Sequence, residues 1–145
     1  MKKIYFFVVV AAVAAVFISG CAQKRNIPKD IDGAKLEAIS SAWLSKLDNG
    51  WFQQCYDETS QKLKDGLDKN QWLNNMITYR KPLGTADKRQ EINMIYEPEI
   101  ANVGKGDFVI IQYAAIYQQK LAVIEAVTLI KEEDGSWKVS GYWIK

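Results

Sequence analysis

The spacing of apolar residues divides most of the chain into a helical half followed by a strand half. Leu36, Ile39, Trp43 and Leu47 recur every three or four residues, which predicts a helix that begins near Ala34. Asp32 can cap the start of this helix, and Asn49-Gly50 can end it. A short second helix is predicted over 51–60.

A further helix is predicted from a capping box. The stretch Asp68-Lys-Asn-Gln71 places a carboxylate at the cap and a glutamine three positions later. The apolar spacing continues through Trp72 to Arg80, and Pro82 forbids a longer helix.

Beyond Gly84 the period changes to two, which is typical of strands. Strands are predicted over 92–96, 108–117, 121–130 and 137–144, with a loop at 98–106 and an Asp134-Gly135 hairpin turn. Helices followed by a meander predict an α+β domain, with N-terminal helices packed on one face of a curved antiparallel sheet of about four strands.

The N-terminus has the pattern of a secretory signal. Lys2-Lys3 precede an apolar run over 4–18, and small residues follow at Ser19-Gly20. The run of 15 residues is shorter than the roughly 20 that span a bilayer. A short membrane anchor is the alternative interpretation.

Ile18-Ser19-Gly20-Cys21 resembles the lipobox of bacterial lipoproteins. The resemblance implies cleavage before Cys21, diacylglycerol on its sulfur and an acyl chain (palmitate) on its amino group. Several acyl chains hold a protein stably on a membrane. We therefore expect a signal peptide at 1–20, a lipidated cysteine and tether at 21–32, and one domain at 33–145. Ala22 is not the aspartate that retains lipoproteins in the inner membrane, which favours the outer membrane, facing the periplasm.

The charge balance of the mature chain is close to zero. The full sequence has 19 basic and 17 acidic residues, and removal of Lys2 and Lys3 leaves 17 of each. A concentrated basic surface is therefore not expected, and neither is a nucleic-acid partner. The sequence contains no histidine, so no Ser–His or Cys–His pair can form. With no nucleotide-binding glycine loop either, we expect no enzyme, no cofactor and no metal.

Cys55 is the second of two cysteines. Once Cys21 is lipidated, no internal disulfide can form, and the aromatic neighbours of Cys55 favour burial over reactivity.

Glu125 is the leading candidate for a site residue. It shares a predicted strand face with Val123, Val127 and other aliphatic residues, so its charge needs a partner or a cavity. Arg80 and Arg89 flank the helix-to-strand connection. Glu125 is therefore interpreted as one end of a buried ion pair, or alternatively as the acid of a ligand pocket.

Aromatic residues form a second candidate set. Trp43, Trp72 and Trp137 fall on apolar faces and are predicted to lie in the core. Tyr113 and Tyr117 share one strand face, and Trp143 lies on the last strand. The alternative is an aromatic cup for an apolar ligand, peptide or glycan.

Four acidic residues on the helices are interpreted as a solvated surface: Asp48, Asp57, Glu58 and Asp65. Their spacing is not that of a calcium loop.

Several segments together identify the family that the chain resembles. They are Ala42-Trp43-Leu44, Leu47-Asp48-Asn49-Gly50, Trp72, Arg80-Lys-Pro-Leu-Gly84, Arg89, Glu125-Ala-Val-Thr-Leu and Asp134-Gly-Ser-Trp137-Lys-Val-Ser-Gly141-Tyr142. Over 34–145 the chain is similar to the domain-of-unknown-function 4019 family of bacterial envelope proteins. The resemblance implies a cone-shaped α+β fold like that of nuclear transport factor 2, and it implies no activity.

Two functions follow as hypotheses. The first is a non-catalytic, lipid-anchored domain that binds or scaffolds an unidentified envelope protein, or pairs with a second copy through its sheet. The second is a small-molecule pocket or isomerase-like enzyme, with Glu125 as base and a tyrosine as oxyanion donor.

Overall fold

The computed structural model describes residues 24–118 and 122–145. The predicted signal sequence, Cys21 and Leu121 lie outside the described residues. The α+β class is confirmed, because four α-helices precede most of a single open sheet.

The helices occupy the first half of the chain. They are α1 (Gly33–Asp48), α2 (Phe52–Asp57), α3 (Gln61–Gly66) and α4 (Lys69–Asn75). A π-helical turn (Met76–Arg80) and a 3-10 turn (Lys81–Leu83) follow α4. The strands are β1 (Lys24–Asn26), β2 (Ala86–Ile100), β3 (Gly104–Tyr117), β4 (Ala122–Lys131) and β5 (Trp137–Ile144).

Side-chain caps explain where two of the predicted helices begin. The Asp32 carboxylate accepts a hydrogen bond from the backbone N–H of Lys35 at the start of α1. Asp68 accepts from Asn70 and Gln71 at the start of α4. Both caps are confirmed as predicted, because each satisfies amide donors that the first helical turn leaves unpaired.

Helix α3 was not predicted from the pattern. It spans six residues and buries only Leu63, so it has no apolar period to recognise. Its start is set by Ser60, whose hydroxyl accepts from the Leu63 N–H.

The sheet order is β1-β2-β3-β4-β5. The strands from β2 to β5 are antiparallel neighbours, whereas β1 pairs in parallel with β2. The expectation of about four antiparallel strands was therefore wrong in two respects, since the sheet has five strands and is mixed. The extra strand lies within the stretch predicted to be a tether, where three polar residues, Lys24–Asn26, carry no apolar alternation.

The predicted loop over 98–106 was also wrong. Strand β2 continues through Pro98 to Ile100, and β3 already begins at Gly104. The connection is a tight turn in which Asn102 adopts a φ of 64°. Three register shifts along the β2–β3 pair let the strand accommodate irregular positions such as the proline.

The main core joins the helices to the sheet. Leu36, Trp43 and Leu47 of α1 belong to one buried cluster with Ile111 of β3 and Leu129 of β4. Trp72 is also fully buried there, and the Trp43 ring lies 5.9 Å from the Trp72 ring, centroid to centroid. The prediction that Trp43 and Trp72 are core residues is confirmed, while Trp137 is only partly buried against this cluster.

Candidate functional site

Glu125 lies in the middle of β4 with its side chain completely buried. Oε2 accepts a hydrogen bond of 2.7 Å from Arg89 Nε. Oε1 accepts bonds from two tyrosine hydroxyls, Tyr117 at 2.5 Å and Tyr142 at 2.7 Å. The buried carboxylate thus has a charged partner and two neutral donors, as a buried anion requires.

Arg89 connects Glu125 to a second carboxylate. Its Nη1 lies 2.9 Å from Asp48 Oδ2 and its Nη2 lies 3.0 Å from Asp48 Oδ1. This bidentate geometry aligns the planar guanidinium with the planar carboxylate. The side chains are 15% exposed for Arg89 and 11% for Asp48, so both charges are largely removed from water.

Arg80 reaches the same group through Asp48 and makes no hydrogen bond to Glu125. Its Nη2 donates to Asp48 Oδ1, and its Nη1 donates to the Gly84 carbonyl at 2.7 Å. The guanidinium carbon lies 4.7 Å from the Tyr117 ring centroid, at cation–π distance. Two arginines and two carboxylates therefore balance one another in what we call the buried network: Asp48, Arg80, Arg89, Tyr117, Glu125 and Tyr142.

Each member of the buried network lies either inside or at the end of a helix, a helical turn or a strand. Asp48 is the last residue of α1, and Arg80 ends the π-helical turn. Tyr117 ends β3. The signals at Asn49-Gly50 and Pro82, which were predicted to end helices, therefore also place the Asp48 carboxylate and the Arg80 guanidinium beside the sheet.

Burial and charge act together on the pKa values of this group. Burial raises the pKa of Tyr117, and the charge of Glu125 raises it further. The same two causes raise the pKa of Tyr142 well above its usual value. Burial alone would lower the pKa of Arg89, but its hydrogen bonds to Asp48 and Glu125 outweigh this and raise it.

Two members of the buried network were missed or misread in the sequence. Asp48 was interpreted as part of a solvated acidic surface, and Tyr142 was not named as a partner of Glu125. Charge balance could have pointed to Asp48, because two buried arginines need more than one carboxylate. Tyr142 could have been found from the alternation of β5, which places it opposite Trp143.

The two remaining predicted site residues make no hydrogen bond to Glu125, although Tyr113 lies directly opposite it in the β3–β4 register. Tyr113 is buried in the main core, where burial raises the pKa of its hydroxyl and the hydroxyls of Ser40 and Ser41 lower it. Trp143 packs with Ile110 and Ile130 in a second, smaller cluster. An aromatic cup that combines Tyr113, Tyr117 and Trp143 is therefore not formed.

Cys55 is a buried free thiol, as predicted. Its carbonyl accepts a bond of 3.1 Å from the Trp43 indole N–H. Burial raises the pKa of the thiol to about 12, so the thiolate that would react is disfavoured.

Two depressions in the surface of the domain are lined by residues that do not include Glu125. The smaller one lies between α1 and β5, beside Trp43 and Trp137. The larger is shallow and open to solvent at one end of the sheet, with Lys88, Ile116 and Ile124 among its lining residues.

Within residues 24–118 and 122–145, no three His, Cys, Asp or Glu side chains are grouped so as to hold a metal ion. The described helices also include none that is long and apolar enough to cross a bilayer.

Comparison with known proteins adds one result. No curated protein and no solved structure matches the chain. Residues 39–142 match the model of the DUF4019 family, described as a protein family of unknown function. This match spans about 70% of the 145 residues. The segments that carried the resemblance all lie within it, from Ala42 to Tyr142. The chain therefore belongs to the DUF4019 family.

Proposed function

We propose that the protein is a lipid-anchored, non-catalytic component of the bacterial envelope whose domain binds or scaffolds another envelope component. The main support for this proposal is that the Glu125 side chain is buried and hydrogen-bonded within the domain. Its carboxylate is fully buried and accepts three hydrogen bonds from Arg89, Tyr117 and Tyr142. A carboxylate held in this way stabilises the fold, and because Glu125 is 0% exposed it has no surface that a substrate in solution can reach.

The isomerase-like alternative has weaker support. A general base must come within hydrogen-bond distance of the proton that it abstracts. The two described depressions do not include Glu125, and Arg89 and the tyrosines already occupy the carboxylate oxygens. Similarity of fold does not by itself transfer an activity.

Finer features of the fold belong to the same proposal. We infer that the helices cover one face of a curved sheet, in the cone shape of nuclear transport factor 2. The shared core of α1 with Ile111 and Leu129 supports this arrangement. A partner protein or a second copy would then contact the surface that the helices leave open, while the neutral charge balance disfavours nucleic acid.

The anchor is proposed from the lipobox-like sequence that ends at Cys21. Cleavage before Cys21 and acylation would place the domain on a membrane, and Ala22 favours the outer membrane, facing the periplasm. The test is to express the full chain and Cys21→Ala in a bacterium, and to compare detergent-phase partition and the mass of the N-terminal peptide. The native chain should enter the detergent phase with an acylated Cys21. A native chain that stays in the aqueous phase would contradict the anchor.

The non-catalytic role is tested on the mature lipoprotein extracted in mild detergent. Native mass spectrometry should show the bare chain or its complex with another protein, with the same result for Glu125→Gln wherever that variant is folded. Lys69→Gln is a matched control, because Lys69 forms only a surface pair with Asp57. A co-purifying small molecule lost in Glu125→Gln but kept in Lys69→Gln would favour the pocket instead.

A further inference from the structure

The connection between Cys21 and the domain is very short. Strand β1 begins at Lys24, only three residues after Cys21. Three extended residues span at most about 10 Å, so the anchor reaches little beyond the first residue of the sheet. A lipid on Cys21 would therefore hold the folded domain close to the membrane surface.

Strand β1 is attached firmly to the domain. It pairs in parallel with β2, with Lys24 beside Asn93 and Arg25 beside Met94. Arg25 Nε and Nη2 each lie 2.9 Å from a carboxylate oxygen of Glu91, and Nη2 also donates to Glu37 of α1 at 2.6 Å. We call Arg25, Glu37 and Glu91 the N-terminal clip. Because of it, the anchor is coupled to the orientation of the sheet.

The direction of β1 determines toward which end of the sheet the N-terminal side of the domain points. Since β1 and β2 are parallel, the N-terminal end of β1 points along β2 toward Ala86. The ends of β3 and β5 and the start of β4 lie at the same end of the sheet, because these strands are antiparallel neighbours. This is the end that contains the larger depression.

The register shows what this end presents. Lys88 pairs with Ile116, and Ile116 pairs with Ala122, so the three share one face. The next row on that face contains Gln90, Ala114, Ile124 and Lys145, with Ile124 and Lys145 joined by reciprocal backbone hydrogen bonds of 2.8 and 2.9 Å. Glu125 and Tyr113 lie on the opposite face.

This face exposes both apolar and basic side chains to solvent. Ile116, at 42%, is one of three large apolar residues that are exposed in the part of the chain that the structure describes. Lys88 and Lys145 are exposed beside it, with Asp87 as the acidic lining residue. Apolar side chains between lysines match the boundary between phosphate headgroups and acyl chains.

The opposite end of the sheet has another character. The β4–β5 turn carries Glu132, Glu133 and Asp134 in succession, and the β2–β3 turn contains Ala101 and Asn102, both exposed. Strand β3 has 14 residues, so the two ends are about 45 Å apart along it. An anionic surface would attract the Lys88 end more than the end with three consecutive acids.

We propose that the face formed by Lys88, Gln90, Ile116, Ile124 and Lys145 docks on an anionic phospholipid surface when Cys21 is lipidated. The inference rests on the proposed anchor and adds an orientation to it. Ile116 enters the headgroup region, Lys88 and Lys145 lie over lipid phosphates, and the β2–β3 and β4–β5 turns point away from the membrane toward a partner.

The test places a fluorescent label at each end of the sheet. Mature full-length protein carrying Ile116→Cys or Ala101→Cys is labelled with a thiol-reactive nitrobenzoxadiazole dye. Cys55 is fully buried and Cys21 would be blocked by its lipid, so only the introduced thiol reacts. The protein is then incorporated into phosphatidylglycerol-containing vesicles that also contain spin-labelled lipid. The label at residue 116 should lose much of its fluorescence, and the label at residue 101 should keep it.

Charge variants separate docking from simple tethering. Lys88→Glu should reduce quenching at residue 116 in phosphatidylglycerol vesicles and have little effect in pure phosphatidylcholine vesicles. Lys105→Glu, the same change on an exposed lysine at the other end of β3, should leave the quenching unchanged. Gln90→Cys provides a second labelling position on the same face, should Ile116→Cys disturb the fold.

The failure of the docking proposal differs from the failure of the anchor. If the mass shows an acylated Cys21 but residues 116 and 101 are quenched equally, or neither is, the orientation is wrong and the anchor stands. If Cys21 carries no acyl group and the protein does not join the vesicles, the anchor fails and the docking proposal falls with it.

Discussion

Two arginine–carboxylate clusters among the described residues differ in their surroundings. In the buried network, the side chains of Arg80 and Glu125 are 2% and 0% exposed. In the N-terminal clip, Glu91 is 2% exposed, whereas Arg25 is 33% and Glu37 is 39% exposed. The same chemistry of guanidinium and carboxylate thus occurs once in the interior and once at a sheet edge.

The difference between the clusters lies in what happens when one partner is removed. Inside the protein, the remaining charge has no water to replace the lost partner, which makes the loss expensive. At the edge, the freed guanidinium or Glu37 carboxylate can be hydrated. We infer that the buried network determines whether the domain is folded, while the N-terminal clip determines where the chain leaves it.

The largest expected effect comes from breaking the buried network at Glu125. Glu125→Gln keeps the shape of the side chain but leaves Arg89 with Asp48 as its only anionic partner. We expect the free energy of unfolding to fall by about 3 kcal/mol, as for other buried pairs that lose one member. Urea unfolding followed by tryptophan fluorescence measures this. An unchanged midpoint would contradict the fold-stabilising role of Glu125.

A smaller effect is expected from Tyr142→Phe. The change removes one hydroxyl donor, and Oε1 of Glu125 keeps its bond from Tyr117. A hydrogen bond to a charged group contributes about 1.5 kcal/mol or somewhat more, so we expect a loss of about 1.5 kcal/mol. A double-mutant cycle with Tyr117→Phe should show coupling between the two hydroxyls. Strictly additive losses would indicate that they act independently.

Alkaline pH should weaken the same region. The pKa values of Tyr117 and Tyr142 are raised in the folded protein, so these hydroxyls stay protonated where an unfolded tyrosine, with a pKa of about 10, ionises. Below that pH these tyrosines are protonated in both the folded and the unfolded state, so their contribution to stability is fully present. Above it the unfolded state releases protons first, so stability falls as pH rises toward the folded values. The fall in melting temperature above about pH 10 should be less steep in Tyr142→Phe, and equal slopes would contradict this.

The N-terminal clip should respond less. Arg25→Gln removes both bonds to Glu91 and the bond to Glu37, and it leaves the buried Glu91 carboxylate beside a shorter, neutral side chain. Because Arg25 is one-third exposed, water can enter the space that it leaves and hydrate that carboxylate. We expect a loss of about 1 kcal/mol in global stability, at the upper end of the range for exposed pairs because Glu91 is buried. Hydrogen exchange should show a larger local effect, with faster exchange of the β1 amides and unchanged exchange in β3 and β4. Unchanged protection of β1 would show that backbone pairing alone holds the strand.

The smallest effect is expected for a pair on the helix surface. Lys69 lies 2.7 Å from Asp57, and these side chains are 38% and 52% exposed. Lys69→Gln should change the free energy of unfolding by less than about 0.5 kcal/mol. A larger loss would mean that exposure is a poor guide to the value of these ion pairs. The comparison between the two clusters would then need another basis.

Much of the fold could be predicted from local patterns. The capping aspartates Asp32 and Asp68, the alternation over 92–96 and the apolar run over 108–117 are effects of neighbouring residues, so the sequence displays them directly. Helix α3 and strand β1 could not be predicted, because six and three mostly polar residues carry no period. A strand over 92–96 was predicted correctly, but the full length of β2 was not. Pro98 normally argues against a strand, and only the register shifts of the β2–β3 pair accommodate it.

The candidate site was predictable only in part. An acid among aliphatic strand residues pointed to Glu125, and the need for a counter-charge pointed to Arg89. The membership of Asp48 depends on where α1 ends relative to β2, because Asp48 and Arg89 are 41 positions apart in the sequence. No local sequence pattern indicates a contact between residues so far apart in the chain. Strand pairing likewise decides that Tyr113 lies opposite Glu125 without bonding to it and that Trp143 lies on the other face of the sheet.

The sequence by itself determined that this chain has an α+β domain, a cysteine among aromatic neighbours at position 55, a charged residue in an apolar strand and a lipobox-like N-terminus. Each of these follows from composition or from spacing within a few residues. Tertiary structure alone decided that Glu125 is closed off by one arginine and two tyrosines, that Asp48 joins Arg80 to Arg89, and that β1 fixes the start of the domain to the edge of the sheet. The physical reason is that charge pairing and strand pairing act between residues that only folding brings together.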